Sequence, residues 1–221
     1  MSRIRNLAPV GIGLFALAAT LITTGCGSST TNVRLMNAVA GQSSVDMLVD
    51  SKDVAAAVPY GTASGYLAVS SGSRNLQIDV SGNAIISQTI TLGSGSNNTV
   101  LATGSGATVF TDNKTAPSSG NIEIRVINAS PTLGSADVYI VPSGTDINTV
   151  NATIPALSFQ SASSYQTLAA GSYEVLFTQP GQKFIVIDSN PLSFSAGQIR
   201  TVVGMDGQNF GFTAAVLSDL N

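Results

Sequence analysis

An arginine and an aspartate recur as a pair in this chain of 221 residues. Arg34 and Asp46 lie in the first half, and Arg125 and Asp137 follow in the same order, each 91 residues further on. Each pair could form a structural ion pair, or the aspartate could accept hydrogen bonds from backbone amides at the start of a strand. The alternative is a carboxylate that binds a ligand or calcium. Because calcium takes about six to eight oxygen ligands, one carboxylate per copy favours the structural role.

The tyrosines and lysines are the other side chains that could act on a ligand. The tyrosines could form a surface that stacks against sugars, or they could be half-buried sheet aromatics with the hydroxyl at the rim. Because Tyr66 and Tyr165 occupy the same place in both halves, we favour the structural role. The lysines lie among many serines, so a Ser-Lys pair stays open, although no S-x-x-K motif occurs. The residues concerned are Tyr60, Tyr66, Tyr139, Tyr165, Tyr173, Lys52, Lys114 and Lys183.

The composition excludes several kinds of active site. The chain has no histidine, which excludes a Ser-His-Asp triad, a Cys-His pair and a zinc site with histidine ligands. We therefore predict no catalytic residue, no metal and no cofactor. Removing residues 1–25 takes away Arg3 and Arg5 and leaves 7 basic against 12 acidic residues. No basic patch remains in the sequence, so nucleic acid is not an expected partner.

The first 25 residues have the pattern of a secretory signal peptide. Two arginines precede an apolar run from Leu7 to Ile22, and small residues follow it. This run of 16 residues is shorter than the roughly 20 that a spanning helix needs. The sequence TTGC, which ends at Cys26, resembles the bacterial lipobox, in which the cysteine is lipidated and becomes the first residue. Gly25 and Thr24 fit that pattern, whereas Thr23 departs from it because Leu is usual there.

The lipobox resemblance implies a location and a tether. It implies an exported protein that is anchored to a membrane through a lipidated Cys26. Because Gly27 rather than an aspartate follows the cysteine, the outer membrane or cell surface is the expected site. Residues 26–32 are predicted to form a short tether. The alternative is a secreted protein whose signal is cleaved elsewhere.

Sequence patterns recur in order along the rest of the chain. VRLMNA and IRVINA lie 91 residues apart, Gly72 and Gly171 lie 99 apart, and VFTD and VLSD lie 107 apart. The spacing grows in stretches rich in Pro, Gly, Ser, Asn or Asp, where loops tolerate insertions. We predict two copies of one domain, residues 33–112 and 121–221, joined by a linker at 113–120, and we expect each copy to fold by itself.

The same strand pattern is predicted in both copies. Short runs with alternating apolar residues and regular turn signals indicate an all-β fold of two tandem antiparallel β-sandwiches. The turns at Gly72 and Gly171 are predicted to connect hairpins. Residues 51–58, SKDVAAAV, are the best candidate for a short helical turn.

The repeated motifs resemble a bacterial family, the domain of unknown function 4397. Its members open with a strand of the form VR-hydrophobic-x-[HN]-A, followed by an aspartate in a VDVYV-like strand and by a YG-x-x-S-x-Y segment. The resemblance implies an immunoglobulin-like or transthyretin-like sandwich, export and, often, lipidation, but no assigned chemistry. The matching residues predicted to be structural are Arg34, Asn37, Asp46, Tyr66, Gly72, Arg125, Asn128, Asp137, Tyr165 and Gly171.

Two classes of function are compatible with these observations. The first is a non-catalytic module of the cell envelope that binds a protein or a polysaccharide, or acts as a spacer near the membrane. The second is a secreted hydrolase or transferase with a Ser/Lys or carboxylate site. We favour the first, because a catalytic cluster should break the symmetry between copies and no such cluster is visible. The long loop from Pro142 to Pro155 is where we expect a binding face that differs between copies.

Overall fold

The computed structural model describes residues 29–220, and these residues form four β-sheets and a short 3₁₀ helix. Cys26 and the predicted signal peptide lie outside the described residues. Two of the sheets come from residues 30–112 and two from residues 121–220. The predicted fold class, all-β with two tandem sandwiches, is confirmed.

The first repeat contains eight strands in two four-stranded sheets. Sheet order is β4-β1-β7-β8 in one and β3-β2-β5-β6 in the other. The sequence SVDMLV shows why strands form here, because its alternate residues Val45, Met47 and Val49 all point into the core. The strands are β1 Thr30–Ala38, β2 Ser44–Val49, β3 Lys52–Pro59, β4 Leu67–Ser70, β5 Gly72–Val80, β6 Asn83–Leu92, β7 Asn97–Thr103 and β8 Gly106–Asp112.

The second repeat follows the same order with added pieces. In one sheet, β12 and β13 both pair with β9, which is followed by β17 and β18. In the other, the order is β11-β10-β14, and β14 pairs with both β15 and β16. The strands are β9 Asn121–Asn128, β10 Ser135–Pro142, β11 Ile154–Ser158, β12 Ser161–Ala162, β13 Gln166–Ala169, β14 Gly171–Thr178, β15 Ile185–Asp188, β16 Leu192–Phe194, β17 Ile199–Asp206 and β18 Phe212–Leu220.

The sequence predicts purely antiparallel sheets, and this prediction is wrong because each repeat contains one parallel pair. In each repeat the first strand pairs in parallel with the penultimate one, β1 with β7 and β9 with β17.

The predicted hairpins at Gly72 and Gly171 are also wrong. Strand β4 pairs with β1, whereas β5 pairs with β2 and β6, so the Gly72 turn carries the chain from one sheet to the other. The Gly171 turn makes the same crossover between β13 and β14.

The helical turn predicted at residues 51–58 is wrong, because β3 occupies Lys52–Pro59. Asp50 and Ser51 both have positive φ, which is the backbone of a tight two-residue hairpin between β2 and β3. Pairing with β2 therefore overrides the helix preference of the alanines. The predicted tether is also too long, because β1 begins at Thr30 and its residues 30–32 pair with β4.

Each sandwich has its own apolar core, and a third cluster lies between the two repeats. We call this third set the junction cluster. It is built from the outer faces of β1, β7, β9, β17 and β18, so one sheet of each repeat packs against its counterpart. Because the buried side chains come from both repeats, the two sandwiches share core there. The members are Met36, Ala38, Leu101, Ile127, Ala129, Val203, Met205 and Leu217.

Candidate functional site at the repeat junction

Four ionisable side chains are buried beside the junction cluster, and they bond across the repeats. Arg34 of β1 donates through Nη2 to the Asp219 carboxylate of β18, and through Nη1 to the Ser218 carbonyl at 2.7 Å. In the mirrored arrangement, Arg125 of β9 donates to the Asp112 carboxylate of β8. Both aspartate side chains are 0% exposed. Burying charge is unfavourable unless it is paired, and here each arginine is paired with the other repeat.

Hydrogen bonds within each repeat complete this arrangement, which we call the charge network. Arg34 donates from Nε to Thr99 at 2.8 Å, and Thr99 donates to Asp112 at 2.7 Å. Tyr66 donates its hydroxyl to the same carboxylate at 2.6 Å and lies under the Arg34 guanidinium. The second repeat has the same bonds among Arg125, Thr201, Asp219 and Tyr165.

The tyrosine hydroxyls in the charge network are held in the neutral form. Burial raises the pKa of Tyr66, and its hydrogen bond to Asp112 raises it further. Burial also raises the pKa of Tyr165, with Asp219 adding to the effect and Arg125 opposing it. These tyrosines serve as donors to buried carboxylates, so their rings do not form an open stacking surface.

The predicted ion pairs within each repeat do not exist in this arrangement. Arg34 is paired with Asp219 rather than with Asp46, and Arg125 with Asp112 rather than with Asp137. The reason is topological, because the last strand of one repeat lies beside the first strand of the other. Sequence reasoning missed Asp112 and Asp219, although they are the final residues of the repeated VFTD and VLSD motifs.

Asp46 and Asp137 instead accept hydrogen bonds from backbone amides. Asp46 accepts from the Ala57 amide at 2.6 Å, and Asp137 accepts from the Ala156 and Gly181 amides at 2.8 Å each. Ala57 and Ala156 have positive φ, and each lies where the pairing with the neighbouring strand shifts register. The aspartates therefore hold a β-bulge in place.

The other predicted structural residues lie at strand ends and turns. Asn37 donates to the Val58 carbonyl and accepts from the Val39 amide, both at 3.0 Å. Asn128 makes the same kinds of bonds with Leu157 and Ser130. Gly72 has a φ of +94°, which L-residues rarely adopt. At Gly171 an added Cβ would lie 3.5 Å from the ring of Tyr173.

The loop in which we expected a binding face is folded onto the protein. It contains the 3₁₀ helix Ile147–Thr149. Ile147 is buried against Tyr139, Val141 and Leu176 on the outer face of the β10–β14 sheet. Lys183 donates to the carbonyls of Ile147 and Val150. The apolar side chains of this loop are therefore used internally.

An exposed groove lies at the end of the molecule where β1 and β9 finish. It has a volume of about 400 Å³ and is formed by the loops after β1 and β9 together with the β17–β18 hairpin. Asp206 fixes the base of the hairpin, because its carboxylate accepts from Ser130 and Thr132. Tyr60 of the first repeat donates to the Asp206 carbonyl. Burial raises the pKa of Tyr60, with the Asp206 charge adding to the effect. Lining residues are Ala40, Thr132, Asp206, Gly207, Gln208, Asn209, Phe210, Gly211 and Phe212.

The remaining candidates are accounted for within residues 29–220. Lys114 donates to the Gly95 carbonyl at 2.6 Å, and Lys52 is exposed in β3. Across this described part of the chain, no group of three His, Cys, Asp or Glu side chains could hold a metal ion. The same residues contain no helix long and apolar enough to cross a membrane.

Fold and junction together define a protein of two fused β-sandwiches with a buried, reciprocal charge network. Residues 31–139 match the model of the family described as "Domain of unknown function (DUF4397)". The match begins in β1 and ends inside β10, so it passes beyond the first repeat. No curated protein matches the chain.

Several solved structures are distantly similar. A family 26 carbohydrate-binding module of Eubacterium rectale Amy13K, in complex with maltoheptaose, is 11% identical over 85% of this chain and 96% of its own, with a TM-score of 0.25. A streptococcal virulence factor, described for alpha-glucan binding, is 9% identical over 85% and 97%, with a TM-score of 0.28. The Bacillus anthracis TIE protein is 10% identical over 84% of this chain and 34% of its own, with a TM-score of 0.27. TM-scores this low establish no shared site or ligand.

Proposed function

We propose that this chain is a non-catalytic module of the cell envelope, exported and anchored by lipid on Cys26, which presents a binding end away from the membrane. The charge network carries the proposal. Its carboxylates are fully enclosed and are bonded to arginine, threonine and tyrosine side chains. A carboxylate that acts on a substrate must reach that substrate, whereas these carboxylates join the two repeats. The buried charges therefore have a structural role.

The position of β1 supports the proposed orientation. Only residues 27–29 separate Cys26 from Thr30, where β1 begins, and three residues span at most about 11 Å. A lipid on Cys26 would therefore keep the start of β1 close to the membrane. Strand β1 has 9 residues at roughly 3.3 Å each, so its other end lies about 30 Å from its start, and the proposal places that end away from the membrane. We call that end, with the loops after β1 and β9, the distal end.

The anchor is tested by Cys26→Ser with cell fractionation and mass spectrometry of the mature N-terminus. We expect the wild-type protein to partition into detergent with an acylated Cys26, and the variant to lose the acyl mass. Thr23→Leu is the matched control, because it restores the usual lipobox residue and should remain anchored. A soluble wild-type protein beside an anchored Thr23→Leu variant would show that the Thr23 departure prevents lipidation.

The orientation is tested with one reactive thiol at each end. Ser94→Cys lies in the loop that follows β6, beside Thr30, and Ser105→Cys lies in the β7–β8 turn at the distal end. Each is labelled with a fluorophore in vesicles that contain a nitroxide-bearing lipid. We expect strong quenching at position 94 and weak quenching at position 105. Equal quenching at both positions would contradict the proposed orientation.

A further inference from the structure

The β17–β18 hairpin differs from its counterpart in the first repeat. Residues 207–211 connect β17 to β18, whereas only Gly104 and Ser105 connect β7 to β8. The longer loop, which we call the distal loop, carries Phe210, a residue that is 97% exposed. An aromatic ring exposed to water gains free energy when a ligand covers it. The second repeat therefore has an exposed aromatic side chain in this connection, whereas the first repeat has only Gly104 and Ser105 there.

A backbone hydrogen bond and two glycines define the shape of the distal loop. The Gly207 amide donates to the Gly211 carbonyl at 2.7 Å, which closes the loop. A Cβ at Gly207 would lie 2.3 Å from the Phe210 carbonyl oxygen, so this position requires glycine. Gly211 has a φ of +72°, again a conformation suited to glycine. A loop that is closed by a hydrogen bond loses less entropy on binding a ligand than an open loop does.

The side chains around Phe210 indicate the chemistry of the ligand. Gln208 and Asn209 offer neutral amide donors and acceptors beside the ring, and Thr132 adds a hydroxyl. Asp206 is the single charged residue among those that line the groove, and it already accepts two hydroxyl hydrogen bonds. With no lysine or arginine in the lining, an anionic ligand has no partner for its charge. The volume of about 400 Å³ lies in the usual range of ligand sites.

We propose that this distal groove binds a neutral polysaccharide, with Phe210 stacked on a sugar ring and the Gln208 and Asn209 amides hydrogen-bonded to hydroxyl groups. Sugar rings have an apolar C–H face and hydroxyl edges, which match an aromatic plane flanked by amides. The groove needs both repeats, because Ala40 comes from the first and the distal loop from the second. This inference rests on the proposed role as a binding module and adds the ligand class and its site.

The test uses the full-length protein in detergent and a panel of polysaccharides. The neutral members are amylopectin, xylan, cellulose and chitin, and the anionic members are polygalacturonate and alginate. We expect the wild-type protein to bind at least one neutral polymer and neither anionic one. Phe210→Ala should weaken that binding by about tenfold or more, and Asn209→Ala should weaken it less. Gly207→Ala should also weaken it, although Phe210 is still present, because the loop loses its conformation.

Phe184→Ala is the matched control. Phe184 is 78% exposed, and it is the last residue of the β14–β15 connection at the same end of the second repeat, but it does not line the distal groove. We expect Phe184→Ala to bind within twofold of wild type, and every variant to keep the wild-type melting temperature within a few degrees. Loss of binding in Phe184→Ala with none in Phe210→Ala would overturn the assignment.

Other outcomes separate this proposal from its alternatives. Binding to the anionic polymers alone would overturn it. Binding to no polymer, together with a crosslink to an envelope protein that Phe210→Ala abolishes, would assign the groove to a protein partner instead. The assay needs no lipid on Cys26, so the same measurement on Cys26→Ser distinguishes failure of the anchor from failure of the groove.

Discussion

The two repeats agree where they meet and differ where they face outwards. At the junction each residue of the charge network has a counterpart with the same bonds, such as Tyr66 to Asp112 and Tyr165 to Asp219. At the distal end, a two-residue turn in the first repeat corresponds to a five-residue loop in the second. The difference indicates that matched residues hold the fold together, whereas unmatched ones are free to take up binding.

The cores of the two repeats show how such divergence stays compatible with packing. Ile78 and Ala102 lie in the core of the first repeat, and Phe177 and Gly204 occupy the equivalent places in the second. A Cβ at Gly204 would lie 2.6 Å from the Phe177 ring. A larger side chain on one strand is therefore accommodated by a smaller one on another, which keeps the core at its usual density.

The largest effect is expected in the charge network. Asp112→Asn and Asp219→Asn should each lower the free energy of unfolding by about 3–5 kcal/mol, because each removes the carboxylate charge bonded to one buried arginine. The other aspartate remains near that arginine, but at 3.9 Å from Arg125 or 3.6 Å from Arg34. Urea unfolding should give similar losses for the two variants. Asp50→Asn is the control, since its pair with Arg74 is exposed and water screens that interaction. A large difference between Asp112→Asn and Asp219→Asn would break the equivalence of the two repeats.

The next largest loss of stability is expected at Gly204, which packs against Phe177 in the core of the second repeat. Gly204→Ala should lower the free energy of unfolding by about 1–3 kcal/mol, because the added methyl group overlaps the Phe177 ring. Phe177→Ile in the same chain should restore much of that loss, since it recreates the Ile–Ala pair of the first repeat. A double-mutant cycle measures this coupling. Additive losses would mean that the two positions do not compensate each other.

Asp46 and Asp137, which hold the β-bulges, also allow the two repeats to be compared. Asp137→Ala should lower the free energy of unfolding by about 1–3 kcal/mol, because the Ala156 and Gly181 amides lose their acceptor. Asp46→Ala should cost less, since Asp46 accepts from the Ala57 amide alone among these contacts and is less buried. Thermal unfolding of both variants provides the measurement. An Asp137→Ala protein with unchanged stability that no longer binds an envelope ligand would identify Asp137 as a functional residue.

The smallest effect concerns alkaline pH. The pKa values of Tyr66 and Tyr165 are raised in the folded protein above the ordinary value of about 10. Their contribution to stability is fully present below pH 10, and it is lost as the pH rises above 10, because the unfolded tyrosines ionise first. Replacing both residues by phenylalanine should therefore flatten the fall in unfolding free energy between pH 10 and 12. An equally steep fall in that double variant would assign the alkaline loss to other groups.

Alternation of apolar residues was sufficient to predict the strands, as in SVDMLV of β2, and ordered spacing was sufficient to predict the repeats. Partners distant in sequence were not predictable, because Arg34 pairs with a residue 185 positions away in the other repeat. The sequence predicts a helical turn where strand Lys52–Pro59 lies, because the alanines of this segment favour helix. Pairing with β2 overrides that preference. The Gly72 turn was mistaken for a hairpin, because a local turn signal does not tell which sheet the next strand joins.

The mutual bonds at the junction have an evolutionary consequence. An interface in which the same patch of each partner contacts the other is isologous, and it is the usual interface of a two-fold homodimer. Arg34 with Asp219 and Arg125 with Asp112 obey this rule inside one polypeptide. Covalent fusion through residues 113–120 keeps the halves together at a high effective concentration. It also allows the two halves to differ in sequence. A true homodimer would carry the distal loop twice, whereas the fused chain carries it once.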